Sequence, residues 1–136
     1  RQEWIRYGYT EMRDDPEPPF VSGRTYTYPT GDSPKGANCL QACGTAKGNP
    51  SGKKDFSNYL NRGYGHALVG TTKAGVNGLF DMGANVWEWA SLEQGHLAAT
   101  MGGSWWYDAV QMKADYGATK PRDMAAIYIG FRCIGG

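Results

Sequence analysis

Histidine and cysteine are scarce in this chain. Only His66, His96, Cys39, Cys43 and Cys133 occur among 136 residues. An odd number of thiols excludes a complete intramolecular disulfide set. The spacing of Cys39 and Cys43 is not that of a zinc knuckle, and neither histidine has a neighbouring ligand set. Plain small buried thiols are expected, with a mild preference for a reducing interior. Long apolar runs are also missing. Residues 66–70 and 125–129 fall far short of the ~18 residues of a membrane helix, so no membrane insertion is expected. No signal peptide is visible, which favours a cytoplasmic or virion-associated protein. Nor is there an excess charge of one sign, with 14 Lys+Arg against 13 Asp+Glu. That argues against a protein held on nucleic acid by its field. Repeats and low-complexity tracts are absent.

Glycine and aromatic residues are abundant instead: 20 Gly, 5 Trp, 9 Tyr and 4 Phe. Glycine is about twice its usual ~7% share, which excludes a helical bundle, and so many rings exclude disorder. The length suits one domain spanning 1–136.

Residues 14–34 read as proline-punctuated loop with a strand-like alternation at Thr25–Tyr28. The spacing predicts single helical turns at Ala37–Ala42 and at Asp55–Leu60. Asn85–Trp89 alternates, placing Trp87 and Trp89 on one face and Val86 and Glu88 on the other. Ile127–Ile134 alternates more clearly. Its Ile127, Ile129, Phe131 and Cys133 predict a central core strand. The fold class is therefore α+β, with short strands, few helices and long structured loops.

Motifs of known chemistry mostly fail. Residues 44–54 never complete a phosphate-binding loop, and Gly63-Tyr64-Gly65 lacks the third glycine of a dinucleotide fingerprint. Ser104 follows a tight glycine turn, but two indoles crowd it and no histidine lies downstream. Glu88 between two tryptophans suits acid–base work if burial raises its pKa. The alternative is a structural pairing with a cation or backbone donors.

Three ordered stretches carry a resemblance: Gly78-Leu-Phe-Asp-Met-Gly-Ala-Asn-Val-Trp-Glu-Trp89, Gly102-Gly-Ser-Trp105 and Ile129-Gly-Phe-Arg-Cys133. Glu3-Trp4, Tyr28-Pro-Thr-Gly-Asp32 and Ala37-Asn38 add weaker signals. Together they resemble the formylglycine-generating (sulfatase-modifying factor) domain over nearly the whole chain. The resemblance implies an irregular C-type lectin-like fold, with a first strand and helix expected ahead of Arg1. In the oxidising members two cysteines after G-G-S bind copper and oxidise a substrate cysteine. Tyr107 and Met112 hold those positions here, so no copper and no such catalysis are expected. The resemblance also implies calcium. Asn85 and Glu88 keep oxygen donors of one site, while the site near Asn38 loses its acidic partner to Arg62.

A second branch of that family, the variable proteins of diversity-generating retroelements, is similar in these absences. There, adenine mutagenesis rewrites a stretch between G-G-S-W and I-G-F-R, corresponding to a variable binding segment at 105–128. AAC or AAT codons so mutated cannot yield Trp, Met, Lys or Gln, yet can yield the Tyr, Asp, Ala, Val, Gly and Ile residues dispersed through 107–128. The implied function is a non-catalytic module that binds a protein or cell-surface ligand. Its expected contacts are Trp106, Tyr107, Asp108, Val110, Asp115, Tyr116, Asp123, Ile127 and Tyr128. Rigid aromatic rings on loops supply contact area at low entropy cost. The rivals are an enzyme of the family with altered chemistry and a structural domain without a diversified face.

Overall fold

The computed structural model describes residues 1–43 and 65–133. The turn expected at Asp55–Leu60 lies outside them. One helix, α1 (Gln2–Tyr9), opens the chain, with Glu3 in its first turn where the helix dipole favours an acid. It ends where Thr10 turns to extended backbone. Two short 3₁₀ turns follow at Val76–Gly78 and Ala109–Met112. Four strands make the sheet: β1 (Trp87–Gln94), β2 (Leu97–Met101), β3 (Ala118–Pro121) and β4 (Ile129–Gly130).

Their spatial order is β3-β2-β1-β4. β1 and β2 form an antiparallel hairpin pairing Glu88 with Met101 and Gln94 with Leu97, with an irregularity between Ala90 and Glu93. Its turn is at Gly95, whose φ of 61° suits a residue without a Cβ. β3 adds antiparallel to β2 and β4 adds parallel to β1. The expected strand at Asn85–Trp89 is thus real, but it begins at Trp87 and runs further.

Three expectations are corrected. The alternation across Ile127–Ile134 does not make a central core strand. Only Ile129–Gly130 pairs, at the sheet's edge, while Ile127 is 74% and Phe131 78% exposed and Cys133 is exposed. The residues with tertiary partners are on the other alternation, Tyr128 against Tyr107 and Arg132 against Glu88. A bidentate ion pair outweighs apolar periodicity in so short a strand. Ala37–Ala42 does not form a helical turn but an irregular one, with Ala42 at φ 69°. That turn brings the Cα atoms of Cys39 and Cys43 to 5.9 Å, within bridging range, and the two are joined as a disulfide. They are therefore not plain thiols, and the ground for a reducing compartment goes with them.

The core is small and mixed. Trp87, Tyr9, Met101 and Met112 are fully buried, and a cluster of Ala37, the disulfide, Ala84, Ala109 and Met112 packs under Tyr28. Tyr9 donates its phenol to the Met112 carbonyl. Burial, with Asp115 nearby, raises its pKa above the ordinary tyrosine range.

Candidate ligand-binding face

Two asparagines do the work of missing sheet. The backbone N–H of Asn85 donates to the Asn38 carbonyl at 3.0 Å, and the N–H of Trp105 donates to the Asn85 carbonyl at 2.8 Å. The Asn85 side-chain oxygen accepts from the Ala67 N–H at 2.7 Å and the Asn38 amide at 3.3 Å. Asn38 also donates to the Gly65 carbonyl. Buried carboxamides so matched replace a strand ladder as satisfaction for loop backbone. The Gly102 turn closes against this clamp through Ala84 N–H to Gly102 O at 2.7 Å. At φ 93°, with a hypothetical Cβ 2.6 Å from the Met82 carbonyl oxygen, only glycine fits at 102.

Beyond that turn the chain is pinned where the face begins. Leu40 N–H, inside the disulfide turn, donates to the Tyr107 carbonyl at 2.8 Å, and Ala109 N–H donates to the Gln41 carbonyl at 3.3 Å. Tyr107 then sets its ring edge-on to buried Trp87, centroids 5.1 Å apart. Tyr116 stacks on the same indole at 6.3 Å, and Tyr128 meets Tyr107 at 5.9 Å. Two tyrosines separated in sequence thus meet on one indole, and a third packs against one of them. Lys120 on β3 joins them. Its ammonium lies 5.2 Å from the Trp87 centroid and 5.3 Å from that of Tyr107, and donates to the Tyr107 phenol at 3.4 Å.

The other expected contact residues are mostly exposed. Trp106 is 56% exposed, set edge-on to buried Trp105 at 5.0 Å. Val110 projects from the second 3₁₀ turn at 48% exposure, just past half-buried Asp108. Asp115, Asp123 and Ile127 are exposed. Lys120 and the organising role of Trp87 were missed by sequence reasoning. Lys120 sits in an edge strand without apolar alternation, and nothing local marks a lysine that lies over rings contributed from elsewhere.

The side-chain oxygens of Glu88 and Asn85 are held by protein donors in this geometry. Glu88 accepts from the Arg132 guanidinium at 2.8 and 3.1 Å and from the Trp4 indole N–H at 2.8 Å, so a cation already neutralises it. The Asn85 side-chain oxygen is engaged as described. Among the described residues no cluster of three or more His, Cys, Asp or Glu could hold a metal ion. Asp81 nearby is raised above the usual carboxylate range by burial, with a 2.5 Å hydrogen bond from Thr72 opposing the shift. A groove of about 460 Å³ lies elsewhere, along α1 and β1, where Trp4, Tyr7, Met82 and Trp89 meet Arg132 and Cys133. None of the expected contact residues lines it.

A small mixed domain, with one short helix and a four-stranded sheet among the described residues and loops tied by buried side-chain amides, is the class defined here. The family model for the sulfatase-modifying factor enzyme 1-like domain matches residues 21–135, and the chain belongs to that family. No curated protein matches it. Among the described residues, no helix is long and apolar enough to cross a membrane.

Proposed function

We propose that this chain is a non-catalytic binding module of the family, on a C-type lectin-like scaffold, whose residues 105–128 are a diversified contact surface. The observation that carries the reading is the packing of Tyr107 and Tyr116 on Trp87, with Tyr128 against Tyr107. One segment supplies adjacent, partly exposed rings over a buried support, with Trp106, Val110 and Ile127 adding exposed apolar area around them. The backbone beneath is held by the asparagine clamp and the disulfide turn, which supports preorganisation of the face. Tyr107 and buried Met112 hold the positions of the family's catalytic thiols, and neither supplies a thiolate. The partner is a protein or a cell-surface ligand.

Two measurements separate the parts of this reading. The chain immobilised and probed with peptide and glycan arrays is expected to bind a discrete set of ligands. That binding should be lost in a Trp106→Ala/Tyr116→Ala variant whose melting temperature is kept; hits indifferent to both rings would refute the face. Sequencing the coding DNA should reveal an adenine-rich near-copy of codons 105–128 close to a reverse transcriptase gene, and its absence ends the diversification claim. Oxygen consumption with copper and a cysteine-containing peptide is expected to be nil. Sustained turnover would return the chain to the enzymes.

A further inference from the structure

We infer that the ring cluster is a cage for a positively charged alkylammonium group, occupied in the free protein by the chain's own Lys120. This rests on the binding-face reading and names its ligand chemistry. The Lys120 ammonium lies within about 6 Å of two ring centroids, the range in which an aromatic quadrupole attracts a cation. Its one hydrogen bond among the described residues is the long one to the Tyr107 phenol, and none of their carboxylates pairs with it. Tyr116 lies over the same indole and Tyr128 packs against Tyr107, so each of the two rings that hold the ammonium is itself backed by another. Trp87 has no exposed surface, and its buried indole N–H has no partner among the described residues. Lys120 therefore belongs to the cover of a buried ring rather than to a salt bridge.

Lys120 is placed to give way. It stands in a four-residue edge strand bonded on one side only, and its flexible stem can swing to water without breaking a ladder bond. A lysine ammonium is strongly hydrated, whereas a methylated or quaternary ammonium is less so and loses less on entering a ring-lined site. A partner presenting such a group competes with Lys120 for the same rings. An internal occupant lowers apparent affinity by the fraction of time the cage is free. Removing it unmasks the site.

The test uses the whole chain with choline and its uncharged isostere 3,3-dimethyl-1-butanol, followed by tryptophan fluorescence and NMR. In the wild type the Lys120 ε-methylene protons should resonate upfield through ring current, and move toward their ordinary position as choline is added. Lys120→Ala, which removes no ladder bond, is expected to bind choline about tenfold more tightly than wild type. It should bind the uncharged isostere far more weakly than choline. Tyr107→Leu on the Lys120→Ala background should abolish choline binding at an unchanged fold, checked by circular dichroism. An ordinary Lys120 shift, equal affinity for choline and the isostere, or no choline binding by Lys120→Ala would each overturn the cage. Array ligands that still depend on Trp106 and Tyr116 would then leave the binding face standing. Choline binding beside array ligands indifferent to those rings would instead remove the face and keep the cage.

Discussion

Tyr107 and Tyr116 both pack on Trp87, yet substitutions of the three should differ in cost because they differ in burial. Trp87 is fully buried, so Trp87→Ala removes a ring and leaves a cavity, at about 3–5 kcal/mol. Tyr107 is half-buried and its carbonyl is held by Leu40, but that bond is backbone and survives truncation. Tyr107→Ala is expected to cost about 2 kcal/mol. Tyr116 at 36% exposure should cost less than about 1 kcal/mol on replacement by alanine. Urea denaturation of the three variants would check the order, and a Tyr116→Ala loss matching that of Trp87→Ala would move the face into the core. The tyrosines were legible in the sequence as residue types suited to binding. What they stand on was not, since nothing in the sequence places Tyr107 and Tyr116 against Trp87 rather than another scaffold ring.

At the scale of elements, β4 is the instructive case. Its apolar alternation predicted burial of Ile127, Phe131 and Cys133, and the structure exposes all three. Two paired residues are too few to press a face against the core, so Arg132 decides how the strand lies. Its guanidinium bonds both Glu88 oxygens and donates to the Phe80 carbonyl at 2.8 Å, tying β4 to β1 and to the loop before it. Of the alternatives open for Glu88 in the sequence, pairing with a cation is the geometry found. Arg132→Met should leave the Glu88 carboxylate, 6% exposed, with only the Trp4 N–H, at a cost of about 3 kcal/mol. Adding Glu88→Gln to Arg132→Met should recover part of that loss, because the uncompensated charge is gone. Chemical denaturation of the single and double variants tests it, and additive losses would mean that the pair is not coupled. The disulfide turn was hidden for a related reason. Cys39 and Cys43 are bridged across an irregular turn with Ala42 in the left-handed region, a conformation that no local period records.

Across the whole molecule a second buried acid sets the response to pH. Glu11 has no exposed surface, receives a fork from Arg13 at 2.8 and 2.9 Å, and accepts from the backbone N–H groups of Arg13 and Asn77. The Arg13 hydrogen bonds lead in lowering its pKa from 4.5 to about 2, against the opposing effect of burial. A carboxyl depressed in the folded state adds stability above its unfolded pKa and loses it as pH falls through the folded value. Stability from Glu11 should therefore be complete above about pH 4.5 and fade toward about pH 2. Melting temperatures of wild type and Glu11→Gln should differ at neutral pH and converge near pH 2. A constant gap across that range would show that the charge of Glu11 contributes nothing.

The asparagine clamp shows where sequence and structure divide. Composition excluded bundles, disorder and membrane-spanning helices, because such classes depend on summed residue types. The spaced motifs around Asn85, Gly102 and Phe131 indicated the family, because each needs particular residues at particular local positions, as Gly102 does beside the Met82 carbonyl. Strand ends, the Cys39–Cys43 bridge and the meeting of Tyr107, Tyr116 and Lys120 on Trp87 required the tertiary structure. These contacts join residues far apart in sequence, so no local period records them. They exist only once Asn38, Asn85 and Trp105 have locked the loops in place.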